Sequence, residues 1–287
     1  MTLLEEFTYT FNKNNNAVRK IIVVNVAVFL LTALVTVFMF FAGIAVDTMN
    51  PALQHFMLPA ALGKLLMQPW SILTYMFLHD GFFHILFNML WLFWLGNLLH
   101  EYIGNQKVYE AYFGGGMVGG ILFIICYNIF PVFEQAIPGA YALGASAGVL
   151  SVVVATAALL PNYPIQLLLF GSVRLKYIAL VTVVLDVVSI PQQNPGGHIA
   201  HIGGALFGFL YVKYLYKEKH ILPQWLRTIF GKKSKVKIHY RTTYMKTETP
   251  NRPSQEEVDL ILDKISKSGY DSLSKKEKEQ LFKASND

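Results

Sequence analysis

Six apolar runs, each close to the length that crosses a bilayer, recur between residues 21 and 216 of the chain. A membrane-spanning helix needs about 20 mainly apolar residues, with a range of about 17–25. Since lipid offers the backbone no hydrogen bonds, a single run of this kind can cross only as a helix. The chain is therefore predicted to be an all-α polytopic membrane protein with six transmembrane helices. The six runs, of which the fourth and fifth are short, are Ile21–Ile44, Phe82–Tyr102, Val108–Phe130, Ala145–Leu160, Leu175–Ile190 and Ile199–Tyr216.

The composition excludes an ordinary soluble domain, because 54% of the residues are hydrophobic, 15% are charged and the mean hydropathy is +0.41. The single cysteine, Cys126, lies in an apolar run, which excludes a disulfide framework and a cysteine-rich metal site. The first apolar run is longer than the ~7–15 residues typical of a cleavable signal peptide. It is expected to be a retained span, with a cleaved signal as the alternative.

Positive charge is concentrated after the last apolar run, where 16 of the 24 Lys and Arg residues lie between Lys217 and Lys283. Basic residues flank transmembrane helices on the cytoplasmic side. The net charge of +6 is therefore assigned to membrane topology, and no nucleic-acid partner is expected. A cytoplasmic N-terminus leaves only Lys64 on the outer side. Both termini are then expected in the cytoplasm, with the protein in a bacterial inner (plasma) membrane.

Four segments are predicted: a cytoplasmic N-terminal segment (1–20), a six-span domain (21–216), a basic juxtamembrane linker (217–250) and a small helical C-terminal region (251–287). In the last segment, Ser254 with Glu257 and Ser274 with Glu277 have the spacing of a capping box, which predicts two helix starts. Gly269 between them predicts a helix stop. The region is therefore expected to form a small cytoplasmic helical hairpin.

Three residues suited to hydrolytic chemistry, His84, Ser146 and His201, lie near the starts of the second, fourth and sixth runs. These runs cross the membrane in the same direction, so the three residues are predicted to lie at one depth near the outer face. A serine hydroxyl becomes a nucleophile when a base takes its proton, and histidine is the commonest such base near neutral pH. The three side chains are therefore candidates for one site.

Ser146 lies in a run of small residues, Gly144-Ala145-Ser146-Ala147-Gly148. Small neighbours let a substrate backbone approach the hydroxyl, and unpaired amides of a first helical turn can bind an oxyanion. Close helix packing is the structural alternative for such a run.

His201 is followed by Gly203, Gly204 and Gly208, a face of small residues that permits the close helix contact a Ser–His pair requires. A polar side chain within a membrane is costly, so a functional role is the default interpretation, with a histidine bonded to a carbonyl as the structural alternative.

His84 and Asn88 are spaced i, i+4 on one face of the second run. An asparagine amide and a neutral histidine can both donate to an oxyanion. Three motifs, in this order on six runs, resemble the rhomboid intramembrane serine proteases: His84-Ile85-Leu86-Phe87-Asn88, Gly144-Ala145-Ser146 and Ala200-His201-Ile202-Gly203-Gly204-Ala205-Leu206-Phe207-Gly208.

The resemblance covers roughly Arg19 to Tyr216 and implies a six-transmembrane-helix rhomboid-like bundle. It implies an intramembrane serine endopeptidase that cleaves single-span membrane proteins in the lipid bilayer, with no cofactor and no metal. A rhomboid-like pseudoprotease, which binds membrane proteins without cleaving them, is the alternative.

The resemblance also implies roles for individual residues. Ser146 and His201 would form a dyad with no acidic third member, while His84, Asn88 and the Ser146 amide would stabilise the oxyanion. Gly144 matches the glycine before the nucleophile, and Trp70 matches a tryptophan of the first outer loop.

Two positions depart from the family pattern. Ala147 stands where glycine usually follows the serine, and Ser71 stands where arginine often follows the tryptophan. The second departure puts the usual anchoring of the loop in doubt.

Two other classes of function remain as alternatives. His79 and His84, with His198 and His201, could form a zinc cluster, since three histidines can suffice for a catalytic metal, but they lack the spacing of a zinc-binding helix motif. His79 and His198 are instead expected at the polar outer rim. Asp186, near the outer end of the fifth run, would suit a proton-coupled transporter, but no inverted repeat is evident. Asp186 is expected to be solvated at the rim.

Overall fold

The computed structural model describes residues 16–44, 51–167, 171–215 and 255–285. The chain divides into two compact units, Met1–Ile238 and His239–Asp287. The first unit contains the six predicted runs. The second contains the predicted C-terminal helices.

Helices dominate the described part of the chain. They are α1 Ala17–Phe41, α2 Pro51–Gln54, α3 Leu62–Met67, α4 Ser71–Thr74, α5 Phe82–Ile103, α6 Asn105–Ile129, α7 Ser146–Leu159, α8 Leu175–Ser189, α9 Pro195–Leu210, α10 Gln255–Ser268 and α11 Lys275–Ser285. Short 3₁₀ segments lie at Tyr75–Phe77, Pro131–Gly139 and Tyr270–Ser272, and a π-helical turn at Tyr211–Leu215 continues α9. Two antiparallel strand pairs are β1 Leu58–Pro59 with β2 Tyr141–Ala142, and β3 Pro164–Leu167 with β4 Gly171–Arg174.

Each of the six predicted apolar runs forms a helix: α1, α5, α6, α7, α8 and α9. Three of them, α1, α5 and α6, are long and apolar enough to cross a membrane, and α7 is a shorter apolar helix of 14 residues. The helix α1 begins at Ala17, four residues before the predicted start, because the Asn16 side chain caps it by accepting from the Arg19 amide at 3.2 Å. Residues 1–15 and the linker 217–250 lie outside the described residues.

The helix α7 is the centre of the bundle. It packs against α5, α6, α8 and α9, and all of its residues from Ala147 to Ala157 are buried. This position follows from its sequence, which is apolar on all sides and rich in small and β-branched residues. By contrast, α1 packs on α5 and leaves large side chains such as Leu34 and Phe38 at 68% and 73% exposed. Outward apolar faces of this size are expected where lipid surrounds a helix.

The segment between α1 and α5 is anchored by polar contacts. The amine of Lys64 donates to the Pro138 carbonyl at 2.7 Å and to the Tyr141 hydroxyl at 2.9 Å. The indole of Trp70 donates to the His55 carbonyl at 2.8 Å. Lys64, the one basic residue predicted on the outer side, thus ties this loop to the chain just before α7.

The second unit consists of α10 and α11 joined through the 3₁₀ turn. Ser274 and Glu277 form the predicted capping box: the Ser274 amide donates to Glu277 Oε2 at 2.7 Å, and the Glu277 amide donates to Ser274 Oγ at 3.3 Å. Lys264 also donates to Glu277 Oε1 at 2.9 Å. Its hydrogen bond, and then those of Ser274, lower the pKa of Glu277 to about 2. Gly269 ends α10 with a φ of 77°, as predicted, while Ser254 lies outside the described residues.

Candidate active site

Ser146 and His201 lie side by side on two neighbouring helices. Ser146 is the first residue of α7, and His201 lies in the second turn of α9. The Ser146 hydroxyl is hydrogen-bonded to His201 Nε2, with an Oγ–Nε2 distance of 2.6 Å. Both side chains are partly buried. This pair has the geometry of a nucleophile and its general base.

Small residues set this distance by letting α7 and α9 approach closely. A Cβ placed on Gly208 would lie 2.1 Å from the Ser151 carbonyl oxygen, so only glycine fits there without movement. Gly203 likewise lies against the backbone of α6 near Gly119. The structure therefore shows the close helix packing expected of these small residues, and this packing brings the histidine to the serine.

Asp186 completes a chain of contacts that was not expected. His201 Nδ1 lies 2.8 Å from Asp186 Oδ1, and His198 Nδ1 lies 2.7 Å from the same oxygen. Asp186 is 7% exposed, on the last turn of α8. The expectation that Asp186 is solvated at the rim is wrong. The arrangement also differs from the one implied by the resemblance, because an acidic side chain stands behind the histidine.

His84 lies close to the serine through Gly144. A Cβ on Gly144 would be 3.1 Å from His84 Nε2 and 3.3 Å from Ser146 Oγ, and the φ of +128° at this position favours glycine. His84 Nδ1 lies 2.7 Å from Asp80 Oδ1. Since an ionised carboxylate only accepts, Nδ1 carries a proton, and Nε2 can donate to an oxyanion only when both ring nitrogens are protonated. The expected donation from a neutral His84 does not fit this geometry.

Asn88 is buried on the same face of α5 as His84. Its amide donates to the His84 carbonyl at 2.9 Å, one turn back along the helix. An asparagine amide has two N–H groups, so one remains to donate elsewhere. The structure therefore brings Ser146, His201, Gly144 and His84 together, with Asn88 one turn below His84.

His79 packs edge-on against His84, with ring centroids 5.1 Å apart. Among the described residues, neither buried ring nitrogen of His79 has a hydrogen-bond partner. Burial, and then the neighbouring His84, lower the pKa of His79 to about 4. His79 is thus a shielded neutral side chain and not the polar rim residue that was expected.

One group of side chains could hold a metal ion in the described part of the chain: Asp186, His198 and His201, whose ligand atoms lie within 4.8 Å of one another. His79 and His84, the other two histidines of the zinc alternative, are not in this group. The two O–N distances of 2.7 and 2.8 Å are hydrogen-bond distances. Two ligands of a tetrahedral zinc ion at about 2.0–2.1 Å would be about 3.3 Å apart. Hydrogen bonding is the better account of this cluster.

The apolar helices and the hydrogen-bonded serine and histidine define the class of protein. It is a polytopic helical membrane protein that carries a serine–histidine pair like that of a hydrolase. The family follows from comparison with known proteins. Residues 66–218, more than half of the chain, match the rhomboid domain, and the chain belongs to the rhomboid family. It is therefore an integral membrane protein. Residues 247–287 match a family of unknown function, DUF6576.

Curated relatives agree with this assignment. The chain is 28% identical to Rhomboid-like protease 3 of Toxoplasma gondii over 166 residues, which are 57% of this chain and 58% of the relative. It is 30% identical to RHOMBOID-like protein 1 of Arabidopsis thaliana over 141 residues, which are 49% of this chain and 33% of the relative. The matches span less than two thirds of these relatives. Both organisms are eukaryotes, so the relatives give no support to the expected bacterial inner membrane.

Proposed function

We propose that this protein is an intramembrane serine endopeptidase that cleaves single-span membrane proteins. The observation that carries the proposal is the 2.6 Å hydrogen bond between Ser146 Oγ and His201 Nε2. A serine paired in this way can attack a carbonyl carbon while the histidine takes its proton. Membership of the rhomboid family supports the same reaction.

The reaction has two halves. Ser146 Oγ attacks the scissile carbonyl carbon, and its proton moves to His201 Nε2. His201 then gives this proton to the leaving amine as the peptide bond breaks, which leaves an acyl-enzyme on Ser146. A water molecule, deprotonated by His201, attacks the acyl carbon, and the Ser146 oxygen leaves with the returned proton. No cofactor enters these steps.

The oxyanion is stabilised by donors near the start of α7. The amide of Ser146, as a first helical residue, has no partner within its own helix. His84 donates through Nε2 in its doubly protonated form, and Asn88 donates through its second N–H. Removing one donor of this kind typically costs about 10²–10³ in kcat.

The proposal includes a topology in which α1, α5, α6, α7, α8 and α9 cross the membrane and both termini are cytoplasmic. At 1.5 Å per residue, the 14 residues of α7 extend about 21 Å, whereas the hydrocarbon layer is about 30 Å thick. With its far end at the cytoplasmic interface, α7 places Ser146 below the outer surface of the lipid. Water and substrate then reach the serine from the outer side.

The test uses the purified full-length protein in detergent with a panel of labelled single-span substrates. Ser146→Ala and His201→Ala are each expected to abolish cleavage, and the double variant to be no worse than either, because residues that act as one unit are non-additive. Ser151→Ala is the matched control, since Ser151 lies on the same helix but donates to the Ala111 carbonyl at 2.8 Å. It should retain cleavage.

A fluorophosphonate probe should label Ser146 in the wild-type protein and not in His201→Ala. Substantial cleavage by Ser146→Ala would contradict the serine mechanism. Substrate binding without cleavage by the wild-type protein would instead identify the pseudoprotease alternative.

A further inference from the structure

One oxygen of Asp186 is shared by two histidines. Oδ1 lies 2.8 Å from His201 Nδ1 and 2.7 Å from His198 Nδ1, and the two imidazole rings stand at 88° to each other. His198 and His201 are three residues apart on one face of α9, while Asp186 comes from α8. The carboxylate therefore joins two helices at the level of the serine.

The shared oxygen determines where the protons lie. A protonated carboxyl could donate to one ring at most, and the second ring would then have to donate to a neutral hydroxyl oxygen, a weaker acceptor than a carboxylate. An ionised carboxylate accepts from both rings and satisfies all three groups. In this arrangement both histidines carry a proton on Nδ1. Neutral His201 then has its lone pair on Nε2, the nitrogen that faces the Ser146 hydroxyl.

We infer that Asp186 is a positioning residue that holds His201 in the tautomer able to accept the Ser146 proton, and that its charge stabilises His201 once it has accepted. This inference rests on the proposed function, because it assigns to His201 the role of base. It extends the serine–histidine pair to a Ser146–His201–Asp186 arrangement, in which the acid acts through the histidine.

The burial of Asp186 strengthens the interaction of its carboxylate with His201. Its side chain is 9% exposed, so few water molecules compete for the carboxylate, and the attraction between the carboxylate and the imidazolium is weakly screened. His198 supplies the second N–H, which keeps Oδ1 from turning away from His201. The N–H groups of two histidines on α9 thus hold one carboxylate oxygen on the neighbouring helix α8 in place.

The first measurement compares kcat and KM for Asp186→Asn, Asp186→Glu and wild type in the full-length protein. Asp186→Asn keeps the shape and removes the charge, and it should lower kcat by about tenfold or more with KM within about threefold. Asp186→Glu, which restores the carboxylate, should be more active than Asp186→Asn. A kcat loss below about tenfold in Asp186→Asn, or a less active Asp186→Glu, would overturn the inference.

The matched control is Glu110→Gln. Glu110 is also a buried carboxylate of the bundle, 1% exposed, and it accepts from the Tyr211 hydroxyl at 2.7 Å. Tyr211 lies ten residues beyond His201, about 15 Å along the helix axis. Glu110→Gln should change kcat by less than about threefold. If it lowered kcat as much as Asp186→Asn does, the effect would be that of any buried carboxylate, and the inference would fail.

The second measurement needs no substrate and so separates this inference from the proposed function. Nitrogen-15 spectra of histidine-labelled protein at neutral pH report which ring nitrogen carries the proton, with His201→Gln used to assign the signals. Wild-type His201 should be protonated on Nδ1 and unprotonated on Nε2. The opposite tautomer would overturn the role of Asp186 even if Ser146 proved catalytic. Conversely, the expected tautomer in a protein that cleaves nothing would count against the proposed function alone.

Discussion

Gly204 on α9 lies against the backbone of Ala147 on α7, so closely that a Cβ on Gly204 would be 2.0 Å from the Ala147 carbonyl oxygen. Ala147 directly follows Ser146, and Gly204 comes three residues after His201. This contact therefore sets the separation of the two helices beside the reactive pair. The distance from hydroxyl to imidazole depends on it.

Gly204→Ala is accordingly expected to push α9 away from α7, lowering both stability and activity. Overpacking of this kind costs about 1–3 kcal/mol, and a displacement of about 1 Å at reacting atoms can cost about 10² in rate. Thermal unfolding in detergent and kcat measure the two effects. Gly63→Ala is the control, because a Cβ there meets nothing within 4 Å. Unchanged kcat in Gly204→Ala would show that the helix contact does not control the pair.

Asn88→Ala is expected to lower kcat by about 10²–10³ while leaving measurable cleavage, because it removes an oxyanion donor and not the base. Asn97→Ala is the matched control: Asn97 lies on the same helix and makes the same kind of bond, to the Phe93 carbonyl. Steady-state kinetics on one substrate compare the two variants. A similar kcat in Asn88→Ala and Asn97→Ala would remove Asn88 from the oxyanion site.

The buried imidazole of His79 is expected to make the stability of the folded protein depend on pH. Burial lowers its pKa to about 4 in the folded protein, whereas an unfolded histidine titrates near 6.5. The unfolded chain therefore binds a proton at this position between those pH values, and stability falls as pH is lowered from about 6.5 to about 4. The thermal midpoint should drop over this range, and His79→Phe should reduce the drop. An equal drop in both proteins would assign it to other groups.

The capping box formed by Ser274 and Glu277 is expected to stabilise the start of α11. Ser274→Ala removes the acceptor for the Glu277 amide and should destabilise the helix by about 0.5–2 kcal/mol. Hydrogen exchange of the full-length protein, read over Lys275–Ser285, should then be faster. Ser268→Ala, at the last residue of α10 and outside the cap, is the control. Exchange that stays at the wild-type rate would mean that contacts other than the cap hold this helix.

The sequence alone was sufficient for the elements that depend on local pattern. Apolar runs predicted the six helices, and the Ser274–Glu277 spacing predicted a cap that the structure confirms. Ser146 and His201 were predicted to meet because both lie at the outer ends of helices expected to cross the membrane in the same direction. Membership of the rhomboid family confirmed the resemblance drawn from the motifs.

The contact of Asp186 could not be derived in the same way. Its partner depends on the rotation of α8 about its own axis, which a helix apolar on most sides leaves undetermined. A signal was nevertheless present: one carboxylate ends an apolar helix, and a short loop leads to two histidines three residues apart. The pairing of β1 with β2, which joins segments more than 80 residues apart, likewise depends on tertiary contacts.

The last prediction concerns where this protein cuts. A peptide bond within a helix has its carbonyl hydrogen-bonded, so attack by Ser146 requires the substrate to unwind locally. Unwinding within lipid leaves backbone groups unpaired at several kcal/mol each, whereas water near the outer interface can satisfy them. A Cβ on Gly144 would lie 3.3 Å from Ser146 Oγ, so the approach to the serine beside Gly144 is narrow, while Ala145 and Ala147, which are 0% and 1% exposed, do not line it. Cleavage should therefore occur near the outer end of the substrate span, after a small residue, and Gly or Pro near that bond should enhance it. Mass spectrometry of the products locates the cut. A cut at the cytoplasmic end, or indifference to helix-breaking substitutions, would show that substrate does not enter from the outer side.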